Sequence, residues 1–348
     1  MIPVAKPEPI NRILVIDLAF IGDVILATPV LRALRGSYPK ARITMLTVPL
    51  TAEVAAMNPY VDNVLIYDKR GEHKGFFGMF KIASLLRRHN FDMAICMNFA
   101  VRGAVVAWLA RIPERVGYDA QQASLFLTRV TSHHRDGIKH EALNHLEVLR
   151  SLHLDTSDTS LAFRLPETAR SSLVEKRQKL GLAEEDYVLI CPFGSYAKKN
   201  LSLDTAAQVT AHLASRMPVY LIGGEKEQAG LEQIAFAADI PTSHVLAGTL
   251  TLAELAVFLH DAAGLVTVDT GPLHMAQAAG CPVLALFGPT DPVVWGPRGK
   301  ADILIYHHRA CSPCWGKGDC LQNDCMMDIS AVEIMEAADR LLAGKERP

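Results

Sequence analysis

The chain lacks several things that would have assigned it to a class at once. No apolar run reaches the roughly 20 residues needed to span a bilayer. The opening Met1–Pro9 carries prolines and charges rather than an apolar core, so a secretory signal is not expected and the protein is expected to work in the cytosol. Asp-x-Asp occurs nowhere, which removes the usual signature of a metal-bridged diphosphate. The glycine-rich dinucleotide fingerprint and the Walker A loop are missing too, so dehydrogenase and kinase readings lose their main support. Aromatic residues make up only 7% of the chain, and the net charge is −2. Nothing marks nucleic acid as a partner.

What remains is a 348-residue chain, half of it hydrophobic, long enough for two domains of ordinary size. Its charge is unevenly spread. Residues 1–165 hold 20 Lys and Arg against 15 Asp and Glu, and the remainder holds 15 against 22. Chance accounts for that about as well as an anionic partner or membrane surface met by the first half. Of the seven cysteines, Cys96, Cys191 and Cys281 lie in apolar stretches and read as small core residues. Cys311, Cys314, Cys320 and Cys325 form C-x2-C-x5-C-x4-C in a polar segment. Four thiolates so close together could hold a tetrahedral zinc. The spacing departs from paired C-x2-C knuckles, and free or oxidised thiols are the reading it favours.

Short apolar runs alternate with helical periodicity, the grammar of parallel sheets covered by helices. Strands are expected at Arg12–Leu18, Arg42–Val48, Asn63–Tyr67, Asp92–Asn98, Tyr187–Cys191, Val219–Ile222, Gly264–Val268 and Pro282–Phe287. Helices are expected at Val24–Tyr38, Gly75–His89, Arg102–Arg111, about His140–Leu152, Thr168–Leu180, Asp204–Arg216, Glu225–Ala237, Leu252–His260, Gly271–Ala279 and Ala331–Ala343. The Ser- and Thr-rich Asp155–Thr168 reads as an interdomain connection. This gives an N-terminal domain over 1–165, a second over 166–330 and a terminal helix within 331–348.

The most informative stretch runs from Val268 to Ala276. A buried strand ends in Asp269-Thr270-Gly271-Pro272, and a helix begins with Thr270 placed to cap it. Such a strand-to-helix turn points unpaired N–H groups and the positive dipole end outward, a ready phosphate site. Asp269 and His274 flank it, one an acceptor and one a candidate cationic donor. The next strand ends in Gly288-Pro289-Thr290, so two strand ends carry small polar turn residues, as a nucleotide diphosphate crevice requires. In the first half, Gly22-Asp23 follows the first strand. Taken alone, Asp23 reads as a helix-terminal carboxylate. Gly194, Ser195, Lys198 and Lys199 occupy a strand-to-helix connection, and Gly223-Gly224-Glu225 ends another strand. Leu250 is a candidate for a base-binding wall, an ordinary core contact serving equally well. Arg102, Arg111, Arg115 and the stretch His133–His140 read first as a solvated basic face.

These segments resemble the lipopolysaccharide heptosyltransferases, glycosyltransferase family 9 of the GT-B fold. The resemblance rests on Ile13–Val24, Thr28–Leu31, Tyr38-Pro39, Asp269–His274, Phe287–Pro292, Trp295–Pro297 and the cysteine cluster. One departure stands out: the family usually has Lys-x-Trp where this chain has Lys199-Asn200-Leu201. The resemblance implies two Rossmann-like domains facing a central cleft, the first on the acceptor side and the second binding nucleotide sugar, with the terminal helix returning to the first. It implies inverting, metal-independent transfer of heptose from ADP-heptose to the inner core of lipopolysaccharide, with no cofactor. Asp23 matches the family's proposed base, Lys199 its diphosphate-stabilising lysine and Glu225 a ribose contact. The implied partners are the donor, a lipid A–core acceptor and, peripherally, the inner membrane. A family 9 transferase with another nucleotide sugar or acceptor, or a non-catalytic nucleotide-sugar-binding protein, are the rivals. The segment Asp68–Gly78 carries no readable code for an acceptor.

Overall fold

The computed structural model describes residues 10–132, 139–184, 186–317, 320 and 323–344. They divide into two compact units, the first including Glu141–Ser160 and the second Lys139, His140 and everything from Leu161 onward. The expected boundary at 165/166 therefore moves to 160/161. His133, His134 and Arg135 lie outside the described residues.

The first unit is built on six parallel strands: β1 Arg12–Ile16, β2 Arg42–Thr47, β3 Asn63–Ile66, β4 Met93–Cys96, β5 Glu114–Tyr118 and β6 Arg129–Thr131, in the order β3-β2-β1-β4-β5-β6. β1 is central because its Ile13-Leu14-Val15-Ile16 run is buried throughout, as a strand covered on both faces must be. It pairs with β2 through Ile13↔Ile43 and with β4 through Ile13↔Met93. The strand order reverses between β1 and β4, the switch point at which open α/β sheets place their ligands.

The second unit repeats the scheme with β7 Val188–Cys191, β8 Val219–Leu221, β9 Gly264–Val268, β10 Val283–Phe287 and β11 Ile303–Tyr306, again all parallel. The order is β11-β10-β9-β7-β8, so this switch point falls between β7 and β9.

Sequence patterning misses β5, β6 and β11. β5 reads Glu-Arg-Val-Gly-Tyr, β6 has three residues, and both β6 and β11 are edge strands. Their pairing comes from the neighbouring strand rather than from their own composition. The helix expected over Val24–Tyr38 is two helices, Ile21–Leu26 and Thr28–Ser37. Pro29 enters the first turn of the second, where its missing N–H is harmless, and the Thr28 hydroxyl donates to Ile25 O at 2.6 Å. The helix expected from His140 begins at Glu141 and tightens to a 3-10 turn over Glu147–Leu152.

The terminal helix Ala331–Ala343 belongs to the second unit. It packs on the second unit, against β9, β10, β11 and the helix Leu203–Ala214. Ile334, Ala337, Ala338 and Leu341 share the core cluster of that unit with Val266 and Leu284. Their spacing puts one apolar stripe on the sheet. On the polar side, Asp339 accepts from Arg216 at 2.6 Å and meets His212 at 3.1 Å. No helix among the described residues is long and apolar enough to cross a membrane.

Candidate active site

The switch point of the first unit gathers carboxylates. Asp17, immediately after β1, is fully buried. Its Oδ1 accepts from Asn98 Nδ2 at 2.9 Å and from Ala19 N at 3.1 Å, so Asn98 beyond β4 bridges the reversal in strand order. Asn98 also takes the Leu18 N–H at 2.6 Å. Asp17 Oδ2 has no hydrogen-bond partner. One turn on, Asp23 is the third residue of the helix Ile21–Leu26 and accepts the Phe20 N–H at 3.2 Å.

The helix Glu141–Leu146 brings two more ionisable groups to Asp23. Glu141 and His145, four residues apart and therefore on one helical face, are both buried. His145 Nε2 lies 3.7 Å from Glu141 Oε1, and Glu141 Oε2 accepts from Asn144 Nδ2 at 3.0 Å. Asp23, Glu141 and His145 offer ligand atoms all within 4.8 Å of one another, the one such trio among the described residues. A divalent ion could be held there, but these groups already pair among themselves and with Asn144 and Phe20.

Burial pushes the Asp23 carboxyl above the ordinary carboxylate value; nearby His145 pulls it back and Glu141 adds to the rise. Asp17 is raised as well, first by burial and then by Asp23. Lys69 donates to Leu18 O at 2.9 Å, and its ammonium is lowered, first by burial and then by Arg102. Glu141, His145, Asp17 and Lys69 were not singled out from sequence. The Glu-x-x-x-His spacing on a predicted helix is the signal that could have found the first two.

The second switch point holds the phosphate-binding candidates. Asp269, directly after β9, is buried and accepts from Lys199 Nζ at 2.6 Å. Lys199 comes from the loop after β7, and its ammonium sits 5.0 Å from the centre of the Tyr196 ring. Gly194 is required by this arrangement: a Cβ there would lie 2.7 Å from Lys199 Cβ. Its N–H is taken by Asn200 Oδ1 at 2.9 Å. Ser195 is exposed. Lys198 points elsewhere and lines a cavity with Pro289 and four cysteines. Leu201, where the family usually has tryptophan, is a buried core residue of this unit.

The helix Gly271–Ala279 starts as expected, with Thr270 at its N-cap, but the Thr270 side chain makes no cap hydrogen bond. Pro272 has no N–H and the Leu273 N–H is taken by Thr270 O at 3.1 Å, so the Gly271 N–H and the Thr270 hydroxyl are what this turn offers a ligand. His274 is buried, and burial lowers its pKa against the opposing pull of Asp269. Desolvation disfavours the charged imidazole, and its Nδ1 has no hydrogen-bond partner. Thr290 is buried with an unpartnered hydroxyl. Gly288 has a packing role, since a Cβ there would lie 2.6 Å from Met326 Sδ and 2.9 Å from Cys325 Sγ.

Gly223 and Gly224 follow β8 and lead into the 3-10 turn Glu225–Glu227. Gly224 N donates to Glu227 Oε2 at 2.8 Å. Glu225 is exposed and packs against Gly248, whose N–H reaches Gly223 O at 2.9 Å. Leu250 is half-buried just before the helix Leu252–Asp261. Arg115 is structural: it donates to Phe126 O at 2.6 Å and to Ile112 O at 2.5 Å. Arg102 donates to the Tyr67 hydroxyl at 3.1 Å.

The sequence description of glycosyltransferase family 9 (heptosyltransferase) matches residues 79–324. The chain belongs to glycosyltransferase family 9. It is accordingly a glycosyltransferase. Lipopolysaccharide heptosyltransferase 3 of Escherichia coli is 25% identical over 93% of this chain and 97% of its own length. The crystal structure of a family 9 glycosyltransferase from Veillonella parvula superposes with a TM-score of 0.85 at 25% identity, covering 96% of this chain and 98% of that one. E. coli ADP-heptose lipopolysaccharide heptosyltransferase II shares the fold, with a TM-score of 0.80 at 20% identity over 97% and 100% of the two chains. The two parallel-sheet α/β domains are those of GT-B heptosyltransferases.

Proposed function

We propose that this family 9 enzyme transfers heptose from ADP-heptose to the inner core of lipopolysaccharide by an inverting, metal-independent displacement. The observations that carry the reading are a half-buried carboxylate of raised pKa, Asp23, beside the switch point of one unit, and, each within the other unit, a lysine and a helix N-terminus, Lys199 and Thr270-Gly271, at its switch point. In this scheme the acceptor hydroxyl attacks the anomeric carbon while its proton passes to Asp23. The bond to the diphosphate breaks, and the departing charge is met by Lys199, by the N–H groups at Thr270 and Gly271, and by His274 as an N–H donor. Lys199 has ammonium hydrogens to spare beyond the one given to Asp269. Glu225, Gly223, Gly224 and Leu250 take the nucleoside, while Gly194, Ser195, Gly288, Pro289 and Thr290 shape the phosphate and sugar pocket.

The donor and acceptor follow from the relatives' names, which are those of lipopolysaccharide heptosyltransferases. A cytoplasmic site of action with peripheral contact at the inner membrane is part of the proposal. Phe76 and Phe77 support it: both are exposed on the helix Gly75–Arg88, directly after Lys74. Heats of binding for ADP-heptose, UDP-sugars and GDP-sugars, followed by transfer assays on heptose-deficient core acceptor in EDTA, test the reading. Selective ADP-heptose binding and EDTA-resistant transfer are expected. Preference for another nucleotide sugar would move the chain to a different donor, and binding without transfer would make it a non-catalytic binder.

A further inference from the structure

The scheme above uses Asp23 and leaves the ionisable groups packed around it without a role. Glu141 and His145 lie one turn apart on the helix Glu141–Leu146, and both are buried. A nitrogen of His145 and one carboxylate oxygen each from Asp23 and Glu141 all lie within 4.8 Å of one another, a separation that one water or a small rotation closes. His145 Nε2 lies 3.7 Å from Glu141 Oε1, and its Nδ1 is buried with no hydrogen-bond partner. A buried polar atom without a partner is costly, and native structures keep few of them. Charges on the neighbouring elements are paired elsewhere. Arg32 and Arg35, on the helix Thr28–Ser37, meet Asp158 at 3.2 Å and Asp62 at 2.6 Å. Glu147, in the following turn, pairs with Arg150, and Lys69 donates to Leu18 O. His145 thus stands among three carboxylates, Asp17, Asp23 and Glu141.

We propose that His145, oriented by Glu141, takes over the proton that Asp23 removes from the acceptor, so that the base is a three-membered relay. The proposal rests on Asp23 as the base. As the acceptor oxygen bonds to the anomeric carbon, its O–H bond breaks and the hydrogen goes to an Asp23 oxygen. That new O–H bond breaks in turn. Its electron pair stays on Asp23, and an N–H bond forms on the neutral imidazole. The imidazolium then stands beside two carboxylates, Asp23 and Glu141, until the proton passes to water. Asp23 is thereby returned to the ionised form that the next acceptor requires. His145 touches no substrate in this scheme and acts through Asp23, with Glu141 as the third group that orients it.

Electrostatics favour transfer in this direction. Burial and Glu141 oppose an ionised Asp23, and His145 supports it; His145 supports an ionised Asp17 as well. Carboxylates on several sides favour the charged form of the ring once it holds the proton. A relay and a mere neighbouring charge differ in what their loss does. A charge that only tunes Asp23 sets the acidic limb of the pH profile and leaves the rate above that limb intact. A relay is used in every turnover, so its loss lowers the plateau itself.

The test uses the full chain with ADP-heptose and a heptose-deficient core acceptor, with and without EDTA. The measurement is kcat against pH for the parent, His145→Gln, His145→Ala and Glu141→Gln. The plateau kcat of both His145 variants is expected to fall by roughly 10-fold or more, a smaller loss than the about 10²–10⁴-fold of removing a general base. Acceptor KM and ADP affinity should change little, and Glu141→Gln should lose less. Added imidazole should restore kcat to His145→Ala in proportion to its concentration and do nothing for Asp23→Asn. His145→Gln keeps a polar side chain of similar bulk, so it carries the comparison if His145→Ala folds poorly. A full plateau in both His145 variants, with only the acidic limb moved, would overturn the relay and leave His145 as a charge beside the base. A lowered plateau that follows a lowered melting temperature and resists imidazole would overturn it too. Near-normal turnover in Asp23→Asn would remove base and relay together, which tells the two failures apart. Transfer that EDTA abolishes and a divalent ion restores would give the trio to a metal and overturn the relay.

Discussion

Lys199 donates its ammonium to the carboxylate of Asp269 at 2.6 Å, joining the loop after β7 to the end of β9. Both side chains are close to fully buried, at 11% and 8% exposure. The pair spans the point where the strand order of the second unit reverses. Asp269 therefore positions the lysine beside the N-terminus of the helix Gly271–Ala279.

Lys199→Ala is expected to reduce donor turnover far more than Lys198→Ala. A cation stabilising a developing diphosphate is worth about 2.7–4 kcal/mol on the scale of a lost oxyanion-hole donor, whereas Lys198 faces the cysteine cavity. Lys199→Ala also leaves Asp269 buried without its partner, at a stability cost of about 3–5 kcal/mol. Adding Asp269→Asn should recover melting temperature but not turnover. Steady-state kinetics and thermal melts on this set separate charge from folding, and a larger kinetic loss in Lys198→Ala would reverse the assignment.

Asp23→Asn is expected to keep the fold and ADP binding while turnover falls by about 10²–10⁴-fold. Asn retains an acceptor for the Phe20 N–H. The folded-state pKa of Asp23 is raised, so its protonated form favours folding at low pH and that contribution is lost as pH rises through the folded value. The neutral Asn should therefore melt no lower than the parent at neutral pH. Near-normal turnover would return Asp23 to being a helix-terminal carboxylate.

The same shift fixes the acid side of the pH profile. The acidic limb of kcat/KM should lie above 3.8, the ordinary aspartate value. His145→Ala should move it upward, because that residue favours the ionised form, and Glu141→Gln should move it downward. A limb that ignores both substitutions would place the essential base elsewhere.

Gly194→Ala should act through Lys199. The added methyl meets Lys199 Cβ at 2.7 Å and the backbone of Asp269 at 3.5 Å, forcing the lysine off Asp269. Overpacking of this kind costs about 1–3 kcal/mol. ADP affinity should fall in parallel with turnover, as calorimetry can show; unchanged affinity would mean that the loop yields without moving the lysine.

Much of this was legible in the chain itself. The buried runs Ile13–Ile16 and Gly264–Val268, each followed by a polar turn and a helix, specify parallel strands because only a strand covered on both faces is apolar at every position. The turn residues after them placed Asp23 and Asp269–Thr270 at strand ends, where ligands bind. Lys199, rather than Lys198, was selected by resemblance and is the lysine that reaches Asp269.

Tertiary structure decided what depends on residues far apart in the chain. β5, β6 and β11 exist because a neighbouring strand offers them a ladder. Glu141 and His145 join Asp23 only once their helix packs against the helices Ile21–Leu26 and Thr28–Ser37, and burial there makes a surface-type carboxylate a raised one. His274 reads from sequence as a candidate donor, and its burial, which disfavours the charged imidazole, is set by the packing around it. The terminal helix docks on the second unit because that sheet presents the apolar surface its stripe matches. Local pattern sets which face of an element is apolar, while the surface that covers it, and with it the charge state of each buried group, is a property of the assembled fold.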